Sequence, residues 1–327
     1  LRGNIYFPLG RVDECLESNE YAIEYARKAG STRLHVGALS GFGDANYLQG
    51  TMRTAVDYYT QAIDIARAEN LTRDLAANLH NRSIAQAYTG YIAPALADAE
   101  ESLAMARTYF VPVAVCVALT CLSLTSMIVD DLDSAQAFAA ENVQLTNKIG
   151  AKRFEAQAMS DLARVLAWQG HWAQARRLGR EAVTIALQFA HHFVGPKSLS
   201  TLALISASTE EQDALLSQGA ALLSEGCVSH CHFFFFSDAM AIMLARQDWD
   251  GALNYATGLE SFTQSEPLPF MQLAIRQARL LVRTGREGPS EDLERELNAF
   301  RRDCAEANIK RTISGLFDQL PVPNKLA

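Results

Sequence analysis

Gly10, Gly50, Gly90 and Gly170 stand on a strict forty-residue register, with Asp130 in the slot between the last two. Five residues after each comes a small side chain: Cys15, Ala55, Ala95, Ala135 and Ala175. The beat continues slightly shortened as Thr209 with Ala214 and Gln247 with Ala252, and a degenerate last instance is Gly285 with Ser290, which makes eight units. A period of this size marks supersecondary units that cannot bury their apolar faces alone and must stack on their neighbours. That constraint excludes most architectures before any motif is weighed.

The physics of one unit is legible in residues 39–70, LSGFGDANYLQGTMRTAVDYYTQAIDIARAEN. Leu39, Phe42, Gly43 and Tyr47 fall on one helical face, and Gly50 breaks the helix and permits a tight turn. A second helix follows with Ala55, Tyr59, Ala62 and Ile63 at three-to-four spacing. Small residues let two antiparallel helices approach closely, while the aromatics fill the space beside them. Each unit is therefore a helix hairpin, and the chain is all-α.

This pattern resembles the tetratricopeptide repeat (TPR), in a long-helix variant with a period near forty, over nearly the whole chain. The resemblance implies a right-handed α-solenoid of antiparallel helix pairs. Residues 1–327 then form a single superhelical domain, with units near 1–30, 31–70, 71–110, 111–150, 151–190, 191–226, 227–265 and 266–308. Pro321 and Pro323 mark a tail over 309–327. Three stretches carry a narrower likeness: LRGNIYFPLGRVDECL at 1–16, GDANYLQGTMRTA at 43–55, and residues 226–270 from GCVSHCHFFFF to SEPLPF. They resemble the C-terminal repeat region of bacterial signalling proteins, in which a class III adenylate/guanylate cyclase and an NTPase module precede the repeats. Neither a GxxxxGK[ST] phosphate loop nor the cyclase aspartates in a strand setting occur in the sequence. The catalysis that the resemblance implies would lie upstream of Leu1. A start within a patterned segment, without Met, agrees with a piece of a longer polypeptide.

Charge narrows the partners. A net charge of −8 argues against nucleic acid, whose phosphates need a basic face. No apolar run reaches the roughly 18 residues of a membrane span, and VPVAVCVALTCLSLTSMIV at 111–129 reads as a fully buried helix. Six cysteines without framework spacing point to reduced thiols and a cytoplasmic setting. The expected partner is a protein or peptide, or the upstream domains of the same polypeptide. Self-association is left open.

GCVSHCHFFFF, residues 226–236, crowds two cysteines, two histidines and four phenylalanines into the start of the seventh unit. A structural zinc takes four ligands, usually from two separated pairs, and no second pair exists here. Four consecutive phenylalanines point all round a helix, which suits an inner layer clamped on both sides; a phenylalanine lining a groove is the alternative. No nucleophile elbow, HExxH or dinucleotide fingerprint appears, so neither enzyme activity nor a cofactor is expected. A carboxylate clamp of Lys, Asn and Arg on successive first helices is disfavoured. Asn4, Gly41 and Ala77, or one repeat further along Ser40 and Asp44, Asn81, and Val117 and Cys121, occupy those positions, and none is cationic. A ligand groove would use the concave first-helix positions Asp44, Tyr47, His80, Tyr88, Arg164 and Trp168. Two functions remain: a non-catalytic interaction module regulating an upstream cyclase or NTPase, and a small-molecule sensor that reads an effector in that groove. A long open groove would favour the first, and a deep apolar pocket with converging polar groups the second.

Overall fold

The computed structural model describes residues 2–312 and 315–316. The chain enters through α1 (Gly3–Tyr6), a 3-10 turn (Phe7–Leu9) and α2 (Val12–Ala29). Seven helix hairpins follow among the described residues: α3/α4 (Thr32–Gln49, Met52–Ala68), α5/α6 (Thr72–Thr89, Ile92–Thr108), α7/α8 (Pro112–Ile128, Leu132–Ile149), α9/α10 (Lys152–Trp168, Trp172–Phe189), α11/α12 (His191–Ile205, Thr209–Ser224), α13/α14 (Ser229–Ala245, Trp249–Phe262) and α15/α16 (Pro269–Glu287, Glu291–Glu306). Two two-residue strands, β1 (Arg311–Thr312) and β2 (Gly315–Leu316), pair antiparallel at the end. The architecture is a right-handed α-solenoid.

The glycine register does what its spacing implies. Gly10, Gly50, Gly90 and Gly170 all adopt positive φ, at 72°, 89°, 86° and 87°, as do Asp130 at 63° and Gln247 at 59°. At Gly50 the following N–H of Thr51 reaches back to Asn46 O (3.0 Å), so the left-handed residue closes α3 and reverses the chain. The register fails at two of its weaker members. Thr209 is the first residue of α12, not a turn, and Ala214 is exposed; Leu216 and Gly219 are the buried positions there. Gly285 lies inside α15, where a Cβ would meet the Trp249 ring at 2.4 Å. The turn falls instead at Gly288, φ 76°, and Ser290 is the exposed N-cap of α16.

Cys15, Ala55, Ala95, Ala135, Ala175 and Ala252 are wholly buried where paired helices cross. Their small volume lets the hairpins stack in two layers. The odd-numbered helices from α3 onward form the inner layer, and in α7 only Pro112, Val113 and Val117 are not buried. The even-numbered helices present polar outer faces to solvent. No helix among the described residues is long and apolar enough to cross a membrane.

Close stacking also tightens the superhelix until it meets itself. The entry turn packs on α11, α3 on α13 and α5 on α15, so the first three units each touch the one five places further on, and α7 meets β1 beyond the last hairpin. Gly10 and Gly226 meet backbone to backbone, and a Cβ on Gly10 would lie 2.7 Å from Gly226 O. Pro196 inside α11 takes part. Without an N–H it leaves the carbonyl of His192, four residues back, unclaimed within the helix, and Val228 N–H takes that acceptor at 3.1 Å. A helix defect thereby ties α11 to the entrance of α13.

Candidate functional site

Closure fills the axis of the coil with side chains. Phe7, Tyr47, Tyr88, Phe193, His230 and Phe233 form a chain of ring contacts with centroids 5.1–6.3 Å apart, drawn from four inner helices and the entry turn. Tyr47 Oη lies 3.2 Å from His230 Nδ1, and Ser229 Oγ donates to the Tyr47 carbonyl. Burial holds His230 neutral, with its pKa driven down to about 3 first by desolvation and then by the nearby charge of Lys197. Of the GCVSHCHFFFF run, Phe233, Phe234 and Phe235 are fully buried. His232 stacks flat on Phe262 at 3.9 Å, and Phe236 is half-buried.

Beside this aromatic floor lies a buried ionic cluster. Arg164 on α9 forks onto Asp238 on α13 with two 2.7 Å bonds and also reaches Thr201 Oγ1 at 2.7 Å. Ser200 Oγ donates to the same carboxylate (2.7 Å), and Lys197 pairs with Asp161 at 2.7 Å. Arg164 and Lys197 both lie over the Phe234 ring, 5.1 and 4.0 Å from its centre. Desolvation lowers the pKa of Lys197 despite the attraction of Asp161. Charges this deep are tolerated only because each is paired and hydrogen-bonded.

The concave candidates therefore separate. Tyr47, Tyr88 and Arg164 are spent on the molecule's own packing and offer no surface to a ligand in this closed form. His80 is buried, its Nδ1 at 3.1 Å from Ala76 O in its own helix, and its pKa falls to about 4 through desolvation. Trp168 is half-buried between Arg164, 5.9 Å from its ring, and Arg311, 4.5 Å from it. The six candidate groove positions do not share one exposed wall in the closed coil: Asp44 and Trp168 are half-buried and the other four are buried.

Along the repeat, exposure falls from exposed Gly37 through half-buried Ala77 and Val117 to buried Gln157. Ser40, Asp44 and Asn81 are half-buried polar residues in the bodies of α3 and α5. Asp44 Oδ1 accepts from Tyr59 Oη (2.7 Å) and Asn81 Nδ2 (3.3 Å). Its pKa is pushed up to about 6 by desolvation, against the opposing pull of the Tyr59 hydrogen bond and the charge of Arg153. Arg153, in the first turn of α9, is the residue that the sequence reading missed. It aligns with Arg33, Arg73 and Val113 on the forty-residue register, where a basic first-turn residue looks like ordinary surface. Only closure turns this one inward.

No protein-family model matches the chain, and no curated protein matches it either. Solved structures do. A Rap protein complexed with Competence and Sporulation Factor superposes with a TM-score of 0.65 at 13% identity, over 84% of this chain and 77% of that one. The Rap conjugation gene regulator of plasmid pLS20 in complex with the Phr* peptide gives 0.66 at 12% identity, over 86% and 77%. NprR in complex with its cognate peptide NprX gives 0.63 at 14% identity, over 88% and 82%. The fold is a TPR-like helical solenoid. At these identities the likeness is one of fold, and the chemistry has to be argued from this chain's own residues.

Proposed function

We propose that residues 1–327 act as one superhelical, non-catalytic regulatory module that binds a peptide segment on its inner wall. The observation that carries this reading is a set of half-buried polar groups on the inner helices, Ser40, Asp44, Asn81 and Arg153, with Asn81 bonded to Asp44 and Arg153 lying over the Phe193 ring of the aromatic floor. Converging polar groups over an apolar base suit a ligand that is held by few directional contacts. The solved relatives in fold bound to Phr*, to NprX and to Competence and Sporulation Factor support a peptide as that ligand. Binding on the inner wall of a coil closed by its own contacts would shift the balance between closed and open forms.

The finer part of the proposal is the target. The three stretches that resemble cyclase-linked repeat regions support an adenylate cyclase or NTPase on the same polypeptide as the regulated activity. The test compares cyclase and NTPase rates of the longer polypeptide with and without residues 1–327. A changed rate or a lost response is expected; equal activity and equal regulation would remove the regulatory target. One feature favours the sensor reading as a second possibility on the same wall: the filled axis leaves no long open groove, which limits the ligand to something short.

A further inference from the structure

Phe110 stands in the backbone conformation that suits it least. The outer helices α2, α4, α6 and α8 are each followed by a left-handed residue at one register position: Gly30, Asn70, Phe110 and Gly150, with φ of 59°, 56°, 55° and 69°. The reversal needs it, since the next N–H reaches back into the helix, from Leu71 to Ala66 O (2.8 Å) after α4 and from Val111 to Ala106 O (2.9 Å) after α6. Gly and Asn meet that demand easily, whereas a bulky side chain is strained there. Packing within the chain does not offset the strain. At 86% exposure, Phe110 is the most exposed large apolar side chain among the described residues. Strain kept at a side chain that the fold does not use points to a use outside the fold.

Phe110 belongs to a stripe. Tyr109, Ile149 and Phe189 follow one another at forty-residue steps along the edge where hairpins connect, and all three are exposed, as is Val113. Outer helices along this edge lie side by side: Arg67 on α4 pairs with Glu101 on α6 (2.7 Å), and Arg107 on α6 pairs with Glu141 on α8. The connections 105–113, 145–153 and 185–193 carry Arg107, Lys148, Lys152 and Arg153 and no Asp or Glu, in a chain of net charge −8. The helix dipole favours the last-turn cations Arg107 and Lys148 but disfavours Lys152 and Arg153 in the first turn of α9. Even with Glu141 and Glu155, the partners of Arg107 and Lys152, the edge stays positive.

We infer that this edge docks a second copy of the chain, with Phe110 as the anchor and the outer face of α2 as the surface it meets. Asp13, Glu17, Glu20, Tyr21 and Tyr25 lie along that face, all exposed. The three acids form no ion pair among the described residues, which leaves them for the cations of a neighbour. Tyr21 and Tyr25 stand one helical turn apart, and their rings can flank an inserted phenylalanine. Reach agrees as well. From Asp13 to Tyr25 a helix rises about 18 Å, and two hairpin steps of about 10 Å carry the stripe from Tyr109 to Phe189. Like charges oppose a meeting of two such edges, so each copy uses two different faces. An anionic membrane would also suit basic and aromatic groups, but a net charge of −8 opposes the approach of the whole chain. Neither face belongs to the inner wall, so the inference does not depend on peptide binding there.

Sedimentation velocity of the 327-residue chain tests this. The weight-average mass should rise with protein concentration and fall with added salt. Phe110→Asn should weaken the association about tenfold or more, as loss of a central anchor does. The same variant should melt about 1–3 °C above the parent, because Asn relieves the left-handed turn. Glu17→Lys/Glu20→Lys should be monomeric too. Mixed together, the two variants should form one-to-one pairs and nothing larger, since one supplies an intact α2 face and the other an intact edge. A chain that stays monomeric at every concentration would overturn the inference, as would association that Phe110→Asn leaves unchanged. A lower melting point in Phe110→Asn would overturn it as well, by showing that the ring serves the fold. Binding to phosphatidylserine vesicles that is lost in Phe110→Asn, with no pairing between chains, would assign the edge to a membrane instead.

Discussion

Arg164 shows how one residue can mislead a reading made along the chain and inform one made in space. Its guanidinium is 1% exposed, and its partner Asp238 stands seventy-four positions away on another helix. Nothing local to α9 announces that partner. Removing one member should strand the other: Arg164→Met leaves the Asp238 carboxylate buried with Ser200 Oγ as its one donor side chain among the described residues, at a cost of about 3–5 kcal/mol. The double variant Arg164→Met/Asp238→Leu should regain most of that loss in urea unfolding, because it removes the desolvated charges together. Asp44 gives a second prediction. Its folded pKa of about 6 lies above the ordinary 3.8, so the folded form holds its proton more tightly. Its contribution is therefore fullest below pH 4 and is lost as pH rises to 6. Asp44→Asn should gain in stability relative to the parent over that window and run parallel to it above, in unfolding midpoints measured from pH 4 to pH 7.

At the scale of the element, α13 joins most of these effects. The apolar run that opens it was legible as core because four phenylalanines cannot share one face, and three of them are indeed enclosed. The hairpin pairing was legible for the same kind of reason: a wholly buried Ala55 crossing its partner helix needs a small side chain, whatever lies elsewhere. Ala55→Leu should accordingly overpack the crossing and cost about 1–3 kcal/mol in chemical denaturation. The Gly285 turn was misread because its glycine answers to Trp249 across a helix interface rather than to backbone reversal, and spacing cannot tell those two demands apart. Histidines add a pH response of opposite sign to that of Asp44. Burial drives His230 to about 3 and His80 and His232 to about 4, all from an ordinary 6.5. Their contribution is complete above pH 6.5 and is lost as pH falls toward those values. His230→Gln, which keeps an acceptor for Tyr47, should flatten the acid limb of the stability profile and leave it unchanged near pH 8.

For the whole molecule, the decisive feature is the closure of the coil, and it rests on contacts between residues that no periodicity connects. The clearest is Glu266. Helix α4 begins at Met52 after Thr51, whose side chain turns back to Asn46 and caps none of the N–H groups of α4. Its first N–H groups would otherwise lack partners. Glu266, 213 positions along the chain, accepts from the N–H groups of Arg53 and Thr54 and from Thr54 Oγ1 at 2.8 Å. A carboxylate delivered from the connection between α14 and α15 thus serves as the N-cap of α4, where the helix dipole also favours negative charge. Loss of a cap costs about 0.5–2 kcal/mol, but here the same bonds also hold one turn of the superhelix to the next. Glu266→Ala should therefore do more than lower stability slightly. It should loosen the seam among α3, α4 and α13, raise the radius of gyration in solution scattering, and speed hydrogen exchange at Arg53 and Thr54. Glu266→Gln keeps one acceptor oxygen and should fall between the two. Unchanged scattering and unchanged exchange in Glu266→Ala would mean that the aromatic floor alone keeps the coil shut. The seam would then be a consequence of closure and not one of its causes.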